Sequence, residues 1–267
     1  MENCTVKTLK ENYILVLYGL VLILSSLIVA YPLSKLFVKN HTESLELDYK
    51  RNIYKYALTF GNYGFFGNFI VLGIWGSEGL FKYLMFTFGV SLLCYSWGLF
   101  ILIPKGSEKV TLTSVLKRMT TPPILALMLG LVAGLLNLKA YLPDFLLDVL
   151  SKASNCMGPV AMLLAGFVVG GFELKSLLSD KKVYVATVLR LIVLPAIIVI
   201  LLRMLSTGKE IITYALICFG TPLGLNTIIY PGSFGGDTKT GAAMAMISHA
   251  LAVVTIPMMY LVFVVLM

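Results

Sequence analysis

Long apolar runs without charge constrain this chain more than any other feature. Seven runs contain no Lys, Arg, Asp or Glu, and an eighth is interrupted only by Arg190. Each has about 20 residues or more, enough for a helix to cross the ~30 Å hydrocarbon core of a bilayer. The sequence therefore predicts an all-α integral membrane protein. Its eight transmembrane helices are predicted at Tyr13–Ser34, Tyr56–Ser77, Tyr83–Pro104, Met119–Leu138, Ala153–Phe172, Val183–Leu202, Ile211–Gly236 and Thr240–Met267.

Composition excludes the main alternatives to a membrane protein. The 267 residues are 58% hydrophobic and only 13% charged, whereas soluble domains carry about 25% charged residues. Disorder is excluded because the chain is far too apolar. The net charge of +8 comes from basic residues between the apolar runs, which favours lipid headgroups as partners over nucleic acid.

The distribution of basic residues predicts the orientation in the membrane. Eight crossings return the chain to its starting side. Thirteen of the 21 lysines and arginines lie in loops on the side opposite the N-terminus, and seven lie on its own side. By the positive-inside rule the richer side is cytoplasmic, so both termini are expected outside the cell.

Enzymatic and metal chemistry find little support in the sequence. There is no GxSxG, HExxH or P-loop pattern, and every Asp and Glu falls outside an apolar run or at its edge. The four cysteines are far apart and predict small apolar fillers rather than a zinc site or disulfides. We expect no catalytic residues, no metal and no cofactor.

Two of the runs contain helix-breaking residues next to asparagine. The second run contains Asn62, Gly64, Gly67 and Asn68, and the seventh contains Thr221, Pro222, Gly224 and Asn226. Glycine and proline weaken a helix, and the freed backbone groups are tolerated in a membrane where they line a wet cavity. Paired broken helices in two halves of a carrier indicate its binding site. Close packing at small residues is the alternative interpretation.

The interval between the broken runs predicts an inverted repeat. They are five runs apart, and five is odd, so a repeat of that unit would be inverted across the membrane. Within a single transport domain, 1–267, residues 105–267 would then form a complete five-helix repeat. Residues 1–104 would form the last three helices of the other repeat, and we expect two further helices to belong before Met1.

The broken runs resemble those of the auxin efflux carrier family. Its fourth helix carries Asn-x-Gly-Phe-x-Gly-x-Pro, and the chain matches this from Asn62, with Phe69 in place of the proline. Its ninth and tenth helices carry a further series, present here as Pro222, Asn226, Gly235, Gly236, Asp237, Ser248 and Pro257. The resemblance extends over essentially the whole chain. It implies ten helices in two inverted repeats, whose fourth and ninth helices unwind where they cross, and both termini outside.

The resemblance also implies a function. We expect a secondary carrier that exports small organic anions such as carboxylates from a cell, with a bacterial plasma membrane as its location. The substrate would bind where the broken helices cross, and a homodimer is left open. A sodium-coupled anion symporter of the bile-acid type and a truncated, non-transporting remnant are the alternatives. Few ionisable groups at depth disfavour an obligatory proton relay.

Three further residues are accessory candidates. Arg190 either extends toward lipid headgroups or attracts an anionic substrate. The ordinary pKa of a histidine is close to neutral pH, so His249 could relay protons. A hydrogen-bonded packing role is the simpler interpretation. Asp237 is expected to cap the helix that begins near Lys239, and the family pattern keeps ion binding as an alternative.

Overall fold

The computed structural model describes residues 6–39, 44–104 and 122–266. These residues form helices, and their only β-type pairing is the isolated bridge between Gly61 and Leu223. Residues 105–121 lie outside the described ranges. The predicted repeat boundary after residue 104 borders this gap, and the predicted helix Met119–Leu138 begins within it.

The first part of the chain forms four α-helices with π-helical turns between them. They are α1 (Val6–Phe37), α2 (Leu45–Thr59), α3 (Asn68–Leu93) and α4 (Leu99–Leu102), with π-turns at Tyr63–Gly67 and Cys94–Gly98. The second part forms α5 (Pro122–Leu135), α6 (Asp144–Gly170), α7 (Leu174–Leu178), α8 (Lys181–Val188), α9 (Leu194–Met204), α10 (Lys209–Gly220), α11 (Asn226–Ser233) and α12 (Lys239–Tyr260). Two more π-turns, Leu189–Val193 and Leu261–Leu266, follow α8 and α12.

The helix α2 begins well before the predicted start at Tyr56. Ser44 caps it by accepting a hydrogen bond from the Leu47 amide at 3.1 Å. The charge criterion misplaced this start because Arg51 and Lys55 are buried within the helix. Both cations lie over the ring of Tyr31, at 5.7 and 4.5 Å from its centroid, so their charge is accommodated in the fold.

Between Tyr63 and Leu102 the chain folds back on itself at Gly76. The Tyr83 hydroxyl donates to the Tyr63 carbonyl at 3.2 Å, although a continuous helix would separate residues twenty positions apart by about 30 Å. Gly76 has φ 65° and ψ −162°, a conformation that favours glycine because it lacks a Cβ. The stretch therefore contains two helical arms packed against each other.

Five helical stretches of the described residues are long and apolar enough to cross a membrane. They are Lys7–Phe37, Tyr63–Leu102, Asp144–Gly170, Lys181–Met204 and Lys239–Leu266. The described part of the chain is therefore that of a helical integral membrane protein. The helices α2, α10 and α11 are individually shorter than a crossing, because the chain leaves helical geometry after Thr59 and after Gly220.

Burial distinguishes the surroundings of the two helix breaks from the outward face of α6. The helix α1 packs against α2 and α3, and α12 packs against α8, α10 and α6. The residues around both helix breaks are buried. In contrast, α6 presents side chains such as Leu163 and Phe167 outward, with 74% and 83% of their surface exposed. Apolar side chains exposed to this degree suit contact with lipid.

Candidate functional site

The two helix breaks contact each other through their backbones, and this contact is termed the crossing. The Asn62 amide donates to the Pro222 carbonyl at 2.7 Å, and Gly61 pairs with Leu223 in antiparallel orientation. The amide of Leu223 donates in turn to the Ser248 hydroxyl of α12 at 3.1 Å. Backbone groups freed by the breaks are thus partly satisfied across the contact, as burial in an apolar medium requires.

Arg190 joins the ends of both interrupted helices. Its guanidinium donates to the carbonyls of Leu58 and Thr59 at the end of α2, each at 3.2 Å, and to the carbonyl of Cys218 near the end of α10 at 3.3 Å. The last carbonyls of a helix lack partners within it and carry partial negative charge. The cation therefore stabilises two helix C-termini at once.

Arg190 does not extend toward lipid headgroups, so that interpretation of the residue is wrong. The residue is only 1% exposed, because the π-turn at Leu189–Val193 points it at the helix ends. No acidic side chain in the described part of the chain forms an ion pair with it. The crossing therefore holds a buried positive charge that contacts carbonyl dipoles and the ring of Phe219, whose centroid is 5.7 Å away.

Asn62 is hydrogen-bonded to the imidazole of His249 on α12. The Asn62 Nδ2 and His249 Nε2 atoms are 2.9 Å apart, and His249 Nδ1 lies 2.8 Å from the Ala245 carbonyl oxygen. The Phe66 ring also contacts the imidazole in an edge-to-face arrangement, with the two ring centroids 5.8 Å apart. The structure thus brings together two candidates that are 187 positions apart in sequence.

Asn226 is hydrogen-bonded across the crossing to the other broken helix. Its Nδ2 donates to the Tyr56 hydroxyl at 2.7 Å and to the Cys94 sulfur at 3.6 Å, and Tyr56 and Cys94 are 3.0 Å apart. The apolar-filler interpretation is therefore wrong for Cys94, whose thiol takes part in a polar network. Sequence reasoning missed Tyr56 and Cys94, because their polar contacts join residues far apart in the chain.

Four of the predicted binding residues line one small cavity at the crossing. The cavity has a volume of about 20 Å³, which is room for about one water molecule and too little for a carboxylate. Its predicted members are Asn62, Gly64, Gly224 and Asn226, and its other lining residues are Gly61, Tyr63, Phe65, Cys94, Tyr95 and Leu225.

The other four predicted binding residues lie beside this cavity rather than in its wall. Thr221 is fully buried and donates to the Cys218 carbonyl at 3.0 Å, and Pro222 supplies the carbonyl that pairs with Asn62. Gly67 packs against the Tyr83 side chain. Asn68 keeps a buried side-chain oxygen without a hydrogen-bond partner.

Asp237 lies away from the crossing. It accepts hydrogen bonds from the Lys239 amide at 2.8 Å and the Thr240 hydroxyl at 2.7 Å, which is the helix-capping role expected for it. It also lines a separate cavity of about 240 Å³ together with Tyr49 and Pro104.

The electrostatics of the crossing suit an anion. Half-helices resume at Tyr63 and Asn226, and the N-terminal turn of a helix carries partial positive charge, although the Thr227 and Ile228 amides already donate to the carbonyls of Gly224 and Leu225. Both of these N-termini line the cavity, and Arg190 lies next to it against Gly61. Among the described residues, no group of three or more His, Cys, Asp or Glu side chains comes together as a metal site would require.

Comparison with known proteins places the chain in a family. The family model described as membrane transport protein matches residues 4–260, which is nearly the whole chain. Individual curated proteins give no match. The family consists of transporters and is not an enzyme family. Together with the apolar helices and the polar crossing, this match shows that the chain is a transport protein of the membrane and belongs to the auxin efflux carrier family.

Proposed function

We propose that this protein is a secondary efflux carrier of small organic anions such as carboxylates. The observation that carries the proposal is the shared cavity between two half-helix N-termini, beside a buried arginine without an acidic partner. Helix N-termini bind anionic groups through free amides and their dipole. Asn62 and Asn226 would add side-chain hydrogen bonds, and Gly64 and Gly224 would let the substrate approach the backbone.

The proposed architecture has eight crossings in two inverted repeats, with both termini outside. A local correspondence supports the repeat. Among the described residues, the glycines with positive φ are Gly76 and Gly235, at 65° and 70°, and each follows the half-helix that resumes after a break. In this proposal residues 105–267 form the complete repeat and residues 1–104 form part of the other.

Transport would require the crossing to open. The cavity of about 20 Å³ has room for about one water molecule, so it would have to widen to admit a carboxylate. Alternating access in carriers arises when one helix bundle moves against another around a fixed site.

Arg190 argues against the sodium-coupled alternative. In carriers with broken helices, coupling cations are coordinated by unwound carbonyls and by the C-terminal ends of half-helices. Here the carbonyls of Leu58, Thr59 and Cys218 already accept from the guanidinium. A tethered cation thus occupies the carbonyls that sodium would need.

Flux measurements test the proposal. The purified protein in liposomes, loaded with labelled indole-3-acetate, malate or malonate, is expected to release at least one of these anions at the same rate in sodium and in choline medium. Asn226→Ala is expected to abolish that release, because it removes a donor at the crossing while leaving the apolar spans unchanged.

Asn12→Ala is the matched control, since Asn12 bonds only to Thr8 within α1. Failure to release any acid would favour the non-transporting remnant. Sodium-dependent release would favour the symporter, and unchanged flux in Asn226→Ala would place the site elsewhere.

A further inference from the structure

The hydrogen bonds of His249 define its tautomer in the neutral state. The Ala245 carbonyl oxygen can only accept, so His249 Nδ1, 2.8 Å away, carries the hydrogen. The Nε2 atom of a neutral ring is then an acceptor, and it lies 2.9 Å from the Asn62 Nδ2 atom, which donates. The neutral imidazole therefore holds the Asn62 amide in one orientation.

That orientation leaves the other end of the amide without a partner. Asn62 is 2% exposed, and its Oδ1 atom is buried with no hydrogen bond. Buried polar atoms are almost always hydrogen-bonded, and an exception calls for an explanation. Asn62 is also one of the residues that line the cavity at the crossing, so the unpaired oxygen belongs to a side chain of the candidate binding site.

We propose that His249 is a proton-binding site whose protonation turns the Asn62 amide and thereby creates a donor for the anion. When water on one side of the membrane delivers a proton to Nε2, both ring nitrogens become donors. Nε2–H then needs an acceptor, and the Asn62 Oδ1 atom becomes one if the amide rotates by half a turn. The Nδ2 group takes the former position of the oxygen and can donate to a carboxylate.

This inference rests on the proposed function and adds the coupling ion to it. The anion binds the protonated form more tightly, so proton and anion bind and leave together. On release to the other side, Nε2 returns its proton to water, and the amide turns back. The cycle moves one proton with each monovalent anion in the same direction, and no other reactant is consumed.

Neighbouring ionisable groups are engaged elsewhere. Arg190 donates to helix-end carbonyls, Lys55 to Asn52, and Arg51 to Ser34. None of the buried ionisable side chains on the elements around α12 forms a hydrogen bond, ion pair or ring contact with His249 in the described part of the chain. These side chains are Arg51, Tyr54, Lys55, Tyr56, Tyr63, Arg190, Tyr214 and Cys218. Among the described residues, Asn62 is thus the side chain of the candidate site that is hydrogen-bonded to the His249 ring.

A spectroscopic experiment tests the switch without relying on transport. The chain contains two histidines, so ¹⁵N-histidine labelling of the whole protein in nanodiscs, with His41→Gln to leave one signal, resolves His249. We expect the Nδ1–H tautomer in alkaline buffer. At least one of indole-3-acetate, malate and malonate is expected to keep the ring doubly protonated to higher pH, because binding linkage is reciprocal. A dominant Nε2–H tautomer, or a titration that all three acids leave unchanged, would overturn the inference.

Flux experiments test the coupling. In liposomes containing the unmodified protein, release of the transported acid is expected to be roughly tenfold faster from a lumen at pH 6 than from one at pH 8. His249→Gln is expected to reduce this ratio to about one, whereas His41→Gln keeps it. If His249→Gln does not insert, the pH ratio and proton co-release of the unmodified protein decide, and pH-independent release overturns the switch.

The two proposals fail in different ways. If no acid is transported, the carrier proposal fails, and the tautomer with its response to the three acids still decides the switch. If acids are transported independently of pH, the carrier proposal stands and the switch is wrong.

Discussion

The first helix break, Phe60–Asn62, contains a glycine and no proline, whereas the second, Thr221–Leu225, contains both Pro222 and Gly224. The second break interrupts the helix locally, since proline cannot donate the hydrogen bond that would continue it. The first has no proline and depends on distant groups: Arg190 on the α2 carbonyls and Pro222 on the Asn62 amide. Arg190 and Ser248 also contact the second break, at Cys218 and Leu223, so that break combines local chemistry with tertiary contacts.

Phe69 illustrates the same difference. It stands where the family pattern has a proline, and its ring packs directly against Gly158 of α6. The half-helix after the first break therefore gains an aromatic contact with an outer helix instead of a second backbone restriction. A Cβ at position 158 would overlap the ring, so a larger residue there would force Phe69 to move.

The largest expected effect comes from removing the arginine that the first break depends on. Arg190→Met leaves three buried carbonyls without this donor, and hydrogen bonds to charged groups contribute about 1.5–3 kcal/mol each. We expect the free energy of unfolding to fall by at least about 3 kcal/mol, measured by denaturant titration in detergent.

Arg203→Met is the matched control, because Arg203 lies at the end of α9 and donates to the Phe263 carbonyl, away from the breaks. Equal losses in the two variants would mean that the crossing does not depend specifically on Arg190.

A smaller effect is expected from filling the contact between the breaks. In Gly61→Ala the added Cβ would lie 2.5 Å from Thr221 Oγ1 and 2.6 Å from Arg190 Nη2. Overpacking of this kind costs about 1–3 kcal/mol and should lower the thermal midpoint of unfolding. Gly64→Ala should leave the midpoint unchanged, since no atom lies within 4 Å of its added Cβ. The comparison fails if both alanines have the same effect.

The smallest effect is expected at the second break. Ser248→Ala removes the hydroxyl that accepts from the Leu223 amide, so a buried donor loses its partner. We expect a loss of about 1 kcal/mol in unfolding free energy, less than at Arg190, because Pro222 maintains the break locally. Ser25→Ala serves as control, since its exposed hydroxyl bonds only to Val21 in its own helix. A larger loss than in Arg190→Met would reverse the ranking of the two breaks.

Part of the site follows from sequence because its causes are local. Glycine, proline and asparagine at 62–68 and 221–226 indicate where helices weaken, and the structure leaves helical geometry next to Asn62 and at Thr221–Leu225. The same reasoning cannot tell which of these residues line the cavity. Gly64 does and Gly67 does not, because Tyr83 returns from the far side of the Gly76 fold to cover Gly67.

The sequence by itself determined that the chain enters a membrane and where its helices weaken, because apolar length and backbone preference are properties of short segments. Only the tertiary structure decided the partners of Arg190, the pairing of Asn62 with His249 and the network of Tyr56, Cys94 and Asn226. These contacts join residues far apart in the chain. Their strength comes from burial, which withholds water from polar groups and makes each depend on the partner that folding brings to it.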